Sequence, residues 1–264
     1  MPMRIKLICA LFGGVAFSCW PVFAKDRLAP FPWKPAHAAQ IGDGVLDTSA
    51  TGYLRVDHDP ALDLTADFTI ELRASFEHFH GHQEIIRKAS AWDQDGFVFK
   101  WHDHQLQLVR GGPGGDISTG SGAYSVVSVP LDGLEPNRMY DLAVVKRDNA
   151  VIFFVDGKAV GAGSIEPMVA TTADMTISTP WADGHLAGQV DELRIWRHAR
   201  HARTIATSVD RRFEGQEPYL LALYRFDDPG DTAGNASRPS QHGDLVGRAA
   251  LVRYDVRPAS LARH

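Results

Sequence analysis

Between Asp67 and Glu77 the sequence alternates without a break. Phe68, Ile70, Leu72, Ala74 and Phe76 fall on one side, and Asp67, Thr69, Glu71, Arg73, Ser75 and Glu77 fall on the other. A side-chain period of two belongs to a β-strand. With one apolar and one polar set, the segment predicts an antiparallel strand that has one buried and one wet face. GYLRVD, EIIRKA, GFVFKW and HQLQLVR are further short runs rich in β-formers, spaced by turn residues as a two-sheet sandwich requires. In MYDLAVVKRDNAVIFFVDGKAVG, Asp148-Asn149 and Asp156-Gly157 separate apolar runs and predict two consecutive hairpins. RHARHARTIATSVDRRF has helical composition and is followed by Gly215 and Pro218, which predicts a single short helix capping the sandwich. YLLALYRF and DLVGRAALVRYD return as strands after it.

Composition narrows the class. At 44% hydrophobic and 22% charged residues, with 24 Gly and 15 Pro, the 264-residue chain is too apolar for disorder and too varied for a fibre or repeat array. Lys plus Arg number 27 against 32 Asp plus Glu, a net charge of -5 that supplies no general attraction to nucleic acid or an anionic membrane. After the first 24 residues no apolar run approaches the roughly 20 needed to cross a bilayer.

Those first residues read as an export signal. Arg4 and Lys6 precede an apolar stretch from Ile5 to Phe17, and Val22-Phe23-Ala24 predicts cleavage after Ala24 into a secreted or periplasmic chain. Both cysteines, Cys9 and Cys19, lie within the signal, so a mature chain lacks disulfides, a thiol nucleophile and Cys-ligated zinc. Residues 25–40 hold three prolines and no periodicity, and read as an extended leader. The body is expected over 41–254, with a tail from 255 to 264.

GYLRVDHDPALDLTADFTIELRASF, the run Ile85-Ile86-Arg87-Lys88, GFVFKW, YDLAVVKRDNAVIFFVDGKAVG and LAGQVDELRIWRHART together resemble the laminin-G-like and pentraxin group of concanavalin A-like jelly rolls. EPYLLALYRFDDPGDTAGNASRPSQHGDL is similar to the closing segment of bacterial members. The resemblance implies an all-β fold of two curved antiparallel sheets, a frequent calcium site, and use as a glycan- or protein-binding module. In pentraxins calcium sits between two loops that correspond here to KASAWDQDGF and STPWADGHL. The first offers Asp93, Gln94 and Asp95 and the second Asp183, all hard oxygen donors. Thr179, Pro180 and Trp181 replace the acidic and amide cluster of the second loop, so one ion or none is expected in place of two. The alternative for Asp93 and Asp95 is an ordinary turn before Gly96.

Each loop also carries a tryptophan. The resemblance puts both loops on one rim, where Trp92 and Trp181 would stack on apolar sugar faces while Asp93, Asp95 and Asp183 bind hydroxyls. Alternatively, either indole folds back onto the core. His78, His80 and His82 recur at every second position, and His102 and His104 flank Asp103; such imidazoles could bind zinc or copper, or remain solvated. Asp191 falls in parity with Leu193 and Ile195, which points to a structural role inside the sheet. RGGPGGDISTGSG lacks the lysine and following helix of a phosphate cradle and reads as a flexible loop.

For catalysis the pattern is unfavourable. The Glu-x-Asp-x-Glu strand of laminarinase-type jelly rolls is absent. Glu71 has Thr69 and Arg73 as same-face neighbours, and Glu192 has Val190 and Arg194, so neither strand presents a carboxylate pair. The expected function is an exported, non-catalytic module that recognises carbohydrate or a glycosylated surface, with calcium as a candidate cofactor. The alternatives are an assembly domain for another exported protein and a polysaccharide-active enzyme.

Overall fold

The structure, a computed structural model, describes residues 44–90, 95–112, 124–181, 183–209 and 211–253. The segments expected to be an export signal, a Pro-rich leader and a tail, and most of the glycine-rich loop, lie outside these residues, as do Trp92 and Asp93.

The described chain forms two antiparallel sheets packed face to face, with strands numbered in chain order. Sheet A runs β10 (Lys158–Ser164), β9 (Ala150–Val155), β8 (Tyr140–Arg147), β3 (Phe68–Phe76), β12 (Gly188–Trp196), β1 (Gly44–Asp47) and β16 (Ala250–Arg253), with β13 (Leu220–Tyr224) also pairing β12. Sheet B runs β14 (Thr232–Ala233), β15 (Gly243–Gly247), β2 (Gly52–Val56), β11 (Met175–Ile177), β4 (His82–Lys88), β5 (Phe97–His102), β6 (Gln105–Arg110) and β7 (Ser125–Pro130). One short helix, α1 (Ala202–Ala206), follows β12. The architecture is the expected concanavalin A-like jelly roll.

Alternation fixes the core. Phe68, Ile70, Leu72, Ala74 and Phe76 of β3 are fully buried against Leu54, Ile86, Phe97, Phe99, Leu106 and Leu108 from sheet B. Ring contacts tie the layers, Phe68 to Phe97 at 6.2 Å and Phe99 to Phe153 at 6.3 Å between centroids. Each such side chain contributes roughly 1.5–3 kcal/mol relative to exposure, which makes this layer the main source of stability. Both predicted hairpins form. Asp148-Asn149 joins β8 to β9, and Asp156-Gly157 joins β9 to β10 with φ of 48° and 73°, the left-handed values a tight two-residue turn needs.

One expectation fails. β3 has no wet face, because all nine of its residues are buried. The chain from Arg197 to Phe213 lies across the outer side of sheet A, where Ile205 packs on Ala143, Val145 and Phe154. A sequence period reports which side chains share a face; it does not report what later covers that face.

The open side of the sandwich closes where β10 meets β7. A Cβ placed on Gly161 would stand 2.5 Å from Val129 Cγ1, and one on Gly163 2.5 Å from Val127 Cγ1. Gly161→Ala should therefore lower stability by about 1–3 kcal/mol, in the range of core overpacking, and Val129→Ala in the same chain should recover part of the loss. Thermal denaturation of the three variants checks this; an unchanged midpoint in Gly161→Ala would show the edge can yield.

Candidate functional site

The outer side of sheet A holds the densest set of buried charges. Glu71 accepts from the Trp196 indole N–H at 2.8 Å and from Arg200, and lies 3.6 Å from Arg194. Arg200 also donates to Ser208 Oγ at 3.0 Å and stacks over the Trp196 ring at 4.1 Å. Arg194 sits 4.8 Å from the Phe213 centroid. Each cation has an anion or an aromatic face, as burial demands.

Asp191 departs from its expected parity. A bulge between Val190 and Glu192 leaves Asp191 without a register partner, so it stands toward the outer side, 3.6 Å from Arg73. The same bulge removes Val190 from the face of Glu192 but leaves Arg194 there; Glu192 pairs with Arg73 across the strand and brings a second carboxylate beside Asp191. The bulge marks a fork, since β1 pairs β12 up to Val190 and β13 pairs it from Leu193. Glu192 lies 3.1 Å from Arg194 Nε without hydrogen-bond alignment, and neither of its carboxylate oxygens has a hydrogen-bond partner among the described residues. Burial is the main cause that raises Glu192 to about 7, against the pull of Arg194, and burial likewise raises Asp191 to about 6 against Arg73. A carboxyl poised near neutrality has the pKa of a general acid. Glu192, however, is 1% exposed and Asp191 9%, so neither reaches a polymer.

Lys88, the lysine of the Ile-Ile-x-Lys run, is fully buried. Its ammonium meets Asp63 at 2.8 Å and donates to the Ala173 carbonyl at 2.9 Å, with His58 Nδ1 at 3.0 Å. It pins two loops to the end of β4 and has a structural role.

The loops expected to share a rim leave opposite ends of β4. β11 pairs β4 antiparallel, Thr176 with Arg87 and Ile177 with Ile86, so the chain after β11 travels back toward the start of β4. Ser178 N–H donates to the Ile85 carbonyl and Glu84 N–H to the Gly184 carbonyl. Asp95 lies at the other end, beyond Lys88, where it accepts from Ser90 N–H at 2.7 Å and Ser90 Oγ at 2.5 Å. Seven residues of β4 separate the two ends, about 20 Å. Asp95 and Asp183 therefore cannot share one ion or one sugar, and Asp95 serves as the turn former of the alternative reading. Trp92 and Asp93 lie outside the described residues. Among the described residues no group of three or more His, Cys, Asp and Glu is arranged to hold a metal ion.

What gathers instead is a rim at the start of β4. Trp181 is 57% exposed and Asp183 is exposed, both on the loop 178–187. That loop is anchored on both sides, by Glu84 to Gly184 and by Gln83, whose Oε1 accepts from Ala187 N–H while its Nε2 donates to the His78 carbonyl. Beneath it His82 and His102 are register partners with ring centroids 5.7 Å apart, and Glu84 pairs Lys100 in the next row. His82 is lowered to about 4, first by burial and then by Lys100 and His102, so it stays neutral in the physiological range. Glu84 is held by Arg87 at 3.1 and 3.2 Å. The residues missed from sequence, Gln83, Glu84, Lys100 and His185, carry one readable signal. His82 and Glu84 share a strand face by parity, as do Lys100 and His102.

Two curved antiparallel sheets packed face to face in this strand order define a concanavalin A-like domain. Residues 47–206 match the family described as the concanavalin A-like lectin/glucanases superfamily, and the chain belongs to that family. No curated protein matches the sequence. Among solved structures, a Bacteroides ovatus protein provisionally described as carbohydrate binding is similar with a TM-score of 0.61 at 14% identity, over 81% of this chain and 60% of that one. The chain thus spans about three fifths of that protein's length. A heptameric SAP-like pentraxin from Limulus polyphemus is similar with a TM-score of 0.54 at 13% identity, over 83% of this chain and 98% of that one. Both share the fold.

The fork gives a pH signature. A carboxyl raised in the folded state holds its proton longer than in the unfolded chain. Its contribution is complete below the unfolded value and is lost as pH rises toward the folded one, here between about 4.5 and 7 for Glu192. His82, lowered in the fold, acts in the opposite sense over pH 6.5 to 4. Glu192→Gln should therefore gain stability relative to the parent as pH rises from 5 to 7.5, by about 2–3 kcal/mol. Urea titrations at both pH values measure it; a constant difference between the two proteins would refute the burial of an acid here.

Proposed function

We propose that this chain is an exported, non-catalytic binding module that recognises carbohydrate through the rim formed by Trp181, Asp183, His102 and the end of β5. The observation that carries the reading is Trp181. A large indole left 57% exposed on a loop anchored at both ends offers a flat apolar surface beside hydroxyl-binding groups. The family and the description of the Bacteroides ovatus relative support a glycan as the ligand class. The buried carboxylates of sheet A support binding over bond cleavage, since Glu71, Asp191 and Glu192 are 2%, 9% and 1% exposed. No described helix is long and apolar enough to cross a membrane.

A glycan array probed with and without calcium tests the reading. The parent protein should give specific signals, and Trp181→Ala should reduce them at least about tenfold while leaving the melting temperature unchanged, because the ring is outside the core. Signals that survive Trp181→Ala would move the site elsewhere. A blank array together with a co-purifying exported protein would replace the reading with an assembly role.

A further inference from the structure

At the end of β12 remote from Trp181, a second aromatic ring stands in solvent. Glu217, Pro218, Tyr219 and Leu220 form a tight turn, closed by Leu220 N–H donating to the Glu217 carbonyl at 3.2 Å. Proline in its second position and a φ of 70° at Tyr219, in the third, make it a type II turn, whose third position favours glycine. A tyrosine there strains its backbone, because Cβ crowds the following carbonyl in the left-handed region. Leu64 and Phe226 also hold positive φ, at 52° and 57°, but both are buried and packing offsets the cost. Tyr219 is 57% exposed, so burial returns little. An outlier of this kind points to a use outside the fold.

The turn is firmly held. Arg197 N–H donates to the Tyr219 carbonyl at 3.0 Å, and the Glu217 carboxylate accepts from Glu214 N–H at 3.0 Å and Gly215 N–H at 2.9 Å. The His198 ring meets the Tyr219 ring edge-on at 5.2 Å, and the exposed Arg197 places its guanidinium 5.4 Å from the Tyr219 centroid. The carboxylates of the surrounding segments are engaged elsewhere. Glu217 serves those two amides, Glu214 lies 3.7 Å from Arg225, and Asp227 lies 3.3 Å from Arg212. Among the described residues Arg197 has no carboxylate partner. A flat ring and an uncommitted guanidinium thus stand side by side.

A pyranose offers C–H faces to such a ring, and a carboxylate matches the planar guanidinium fork with two parallel hydrogen bonds. We propose that Tyr219 and Arg197 form a second carbohydrate site, selective for sugars that carry a carboxylate, the uronic acids. It goes beyond the Trp181 rim and does not depend on it. The Trp181 loop enters β12 at Gly188 and the Tyr219 turn meets the chain just after Trp196, about 26 Å away along nine strand residues. Glycine at 219 would relax the turn and remove the surface on which the sugar rests.

Polygalacturonate and its methyl ester present the same sugar backbone with and without charge, and Trp181→Ala silences the rim. In affinity electrophoresis at neutral pH, the parent and Trp181→Ala should both bind polygalacturonate at least about tenfold more tightly than the ester. Arg197→Gln should abolish that preference, and Tyr219→Gly should lose the polymer altogether. Tyr219→Gly should nevertheless melt no lower than the parent, because glycine adopts a φ of 70° without strain. Equal binding of polymer and ester, no binding of either, or binding retained in Tyr219→Gly overturns the inference. So does a melting temperature several degrees lower in Tyr219→Gly, which would make the ring a structural residue. Tighter binding of dextran sulfate than of polygalacturonate overturns the carboxylate class. Polygalacturonate binding that disappears in Trp181→Ala belongs to the rim, and the first reading then stands while this one falls.

Discussion

The middle strands of sheet A, β3 and β12, are buried on both faces, and everything on their outer side follows from that. Buried charge is tolerable only beside opposite charge or an aromatic face. Glu71 accordingly takes Trp196, Arg194 and Arg200 at once, and the chain from Arg197 to Phe213 supplies the cover that makes the arrangement necessary. The short helix contributes through Ile205 in the same cover. Arg200 of this crossing segment, paired with Glu71, fixes the segment's orientation on the sheet.

The fork in sheet A shows what such a network leaves unfinished. Where β12 exchanges β1 for β13, the bulge turns Asp191 outward toward Arg73, and Glu192 meets Arg194 without the alignment of a hydrogen bond, which leaves both Glu192 carboxylate oxygens and the Arg194 Nε unpartnered among the described residues. The raised proton affinity of Asp191 and Glu192 comes from the irregularity of the strand as much as from depth. The pair is buried, with Glu192 1% and Asp191 9% exposed.

Much of this fold was legible from residues alone. The period of two in β3, the Asp156-Gly157 turn and the single helix each depend on local chemistry, and each appeared where expected. What failed depended on relations between distant parts of the chain. Parity across 188–196 assumed an unbroken strand, and one extra residue at Asp191 shifted the parity of Asp191 and of the residues before it. The pairing of Asp95 with Asp183 assumed that two loops flanking neighbouring strands share an end; the antiparallel register of β11 on β4 puts these two about 20 Å apart, while Trp92 lies outside the described residues. The histidine rim was half visible, as an alternation ahead of β4 and a flanked aspartate after β5. Nothing in the sequence indicated that His185 would join them, because that depends on Gln83 reaching the backbone of Ala187.

At that rim, main-chain groups make most of the clamps. Gly81 with Asp103, Glu77 with Ala187 and Glu84 with Gly184 all engage at least one backbone partner, and most engage two. The side chains at 80, 102, 104, 181 and 183 carry little of the architecture. Such a surface can be rewritten one position at a time while its frame persists, so related chains with the same sandwich are free to diverge in what they hold.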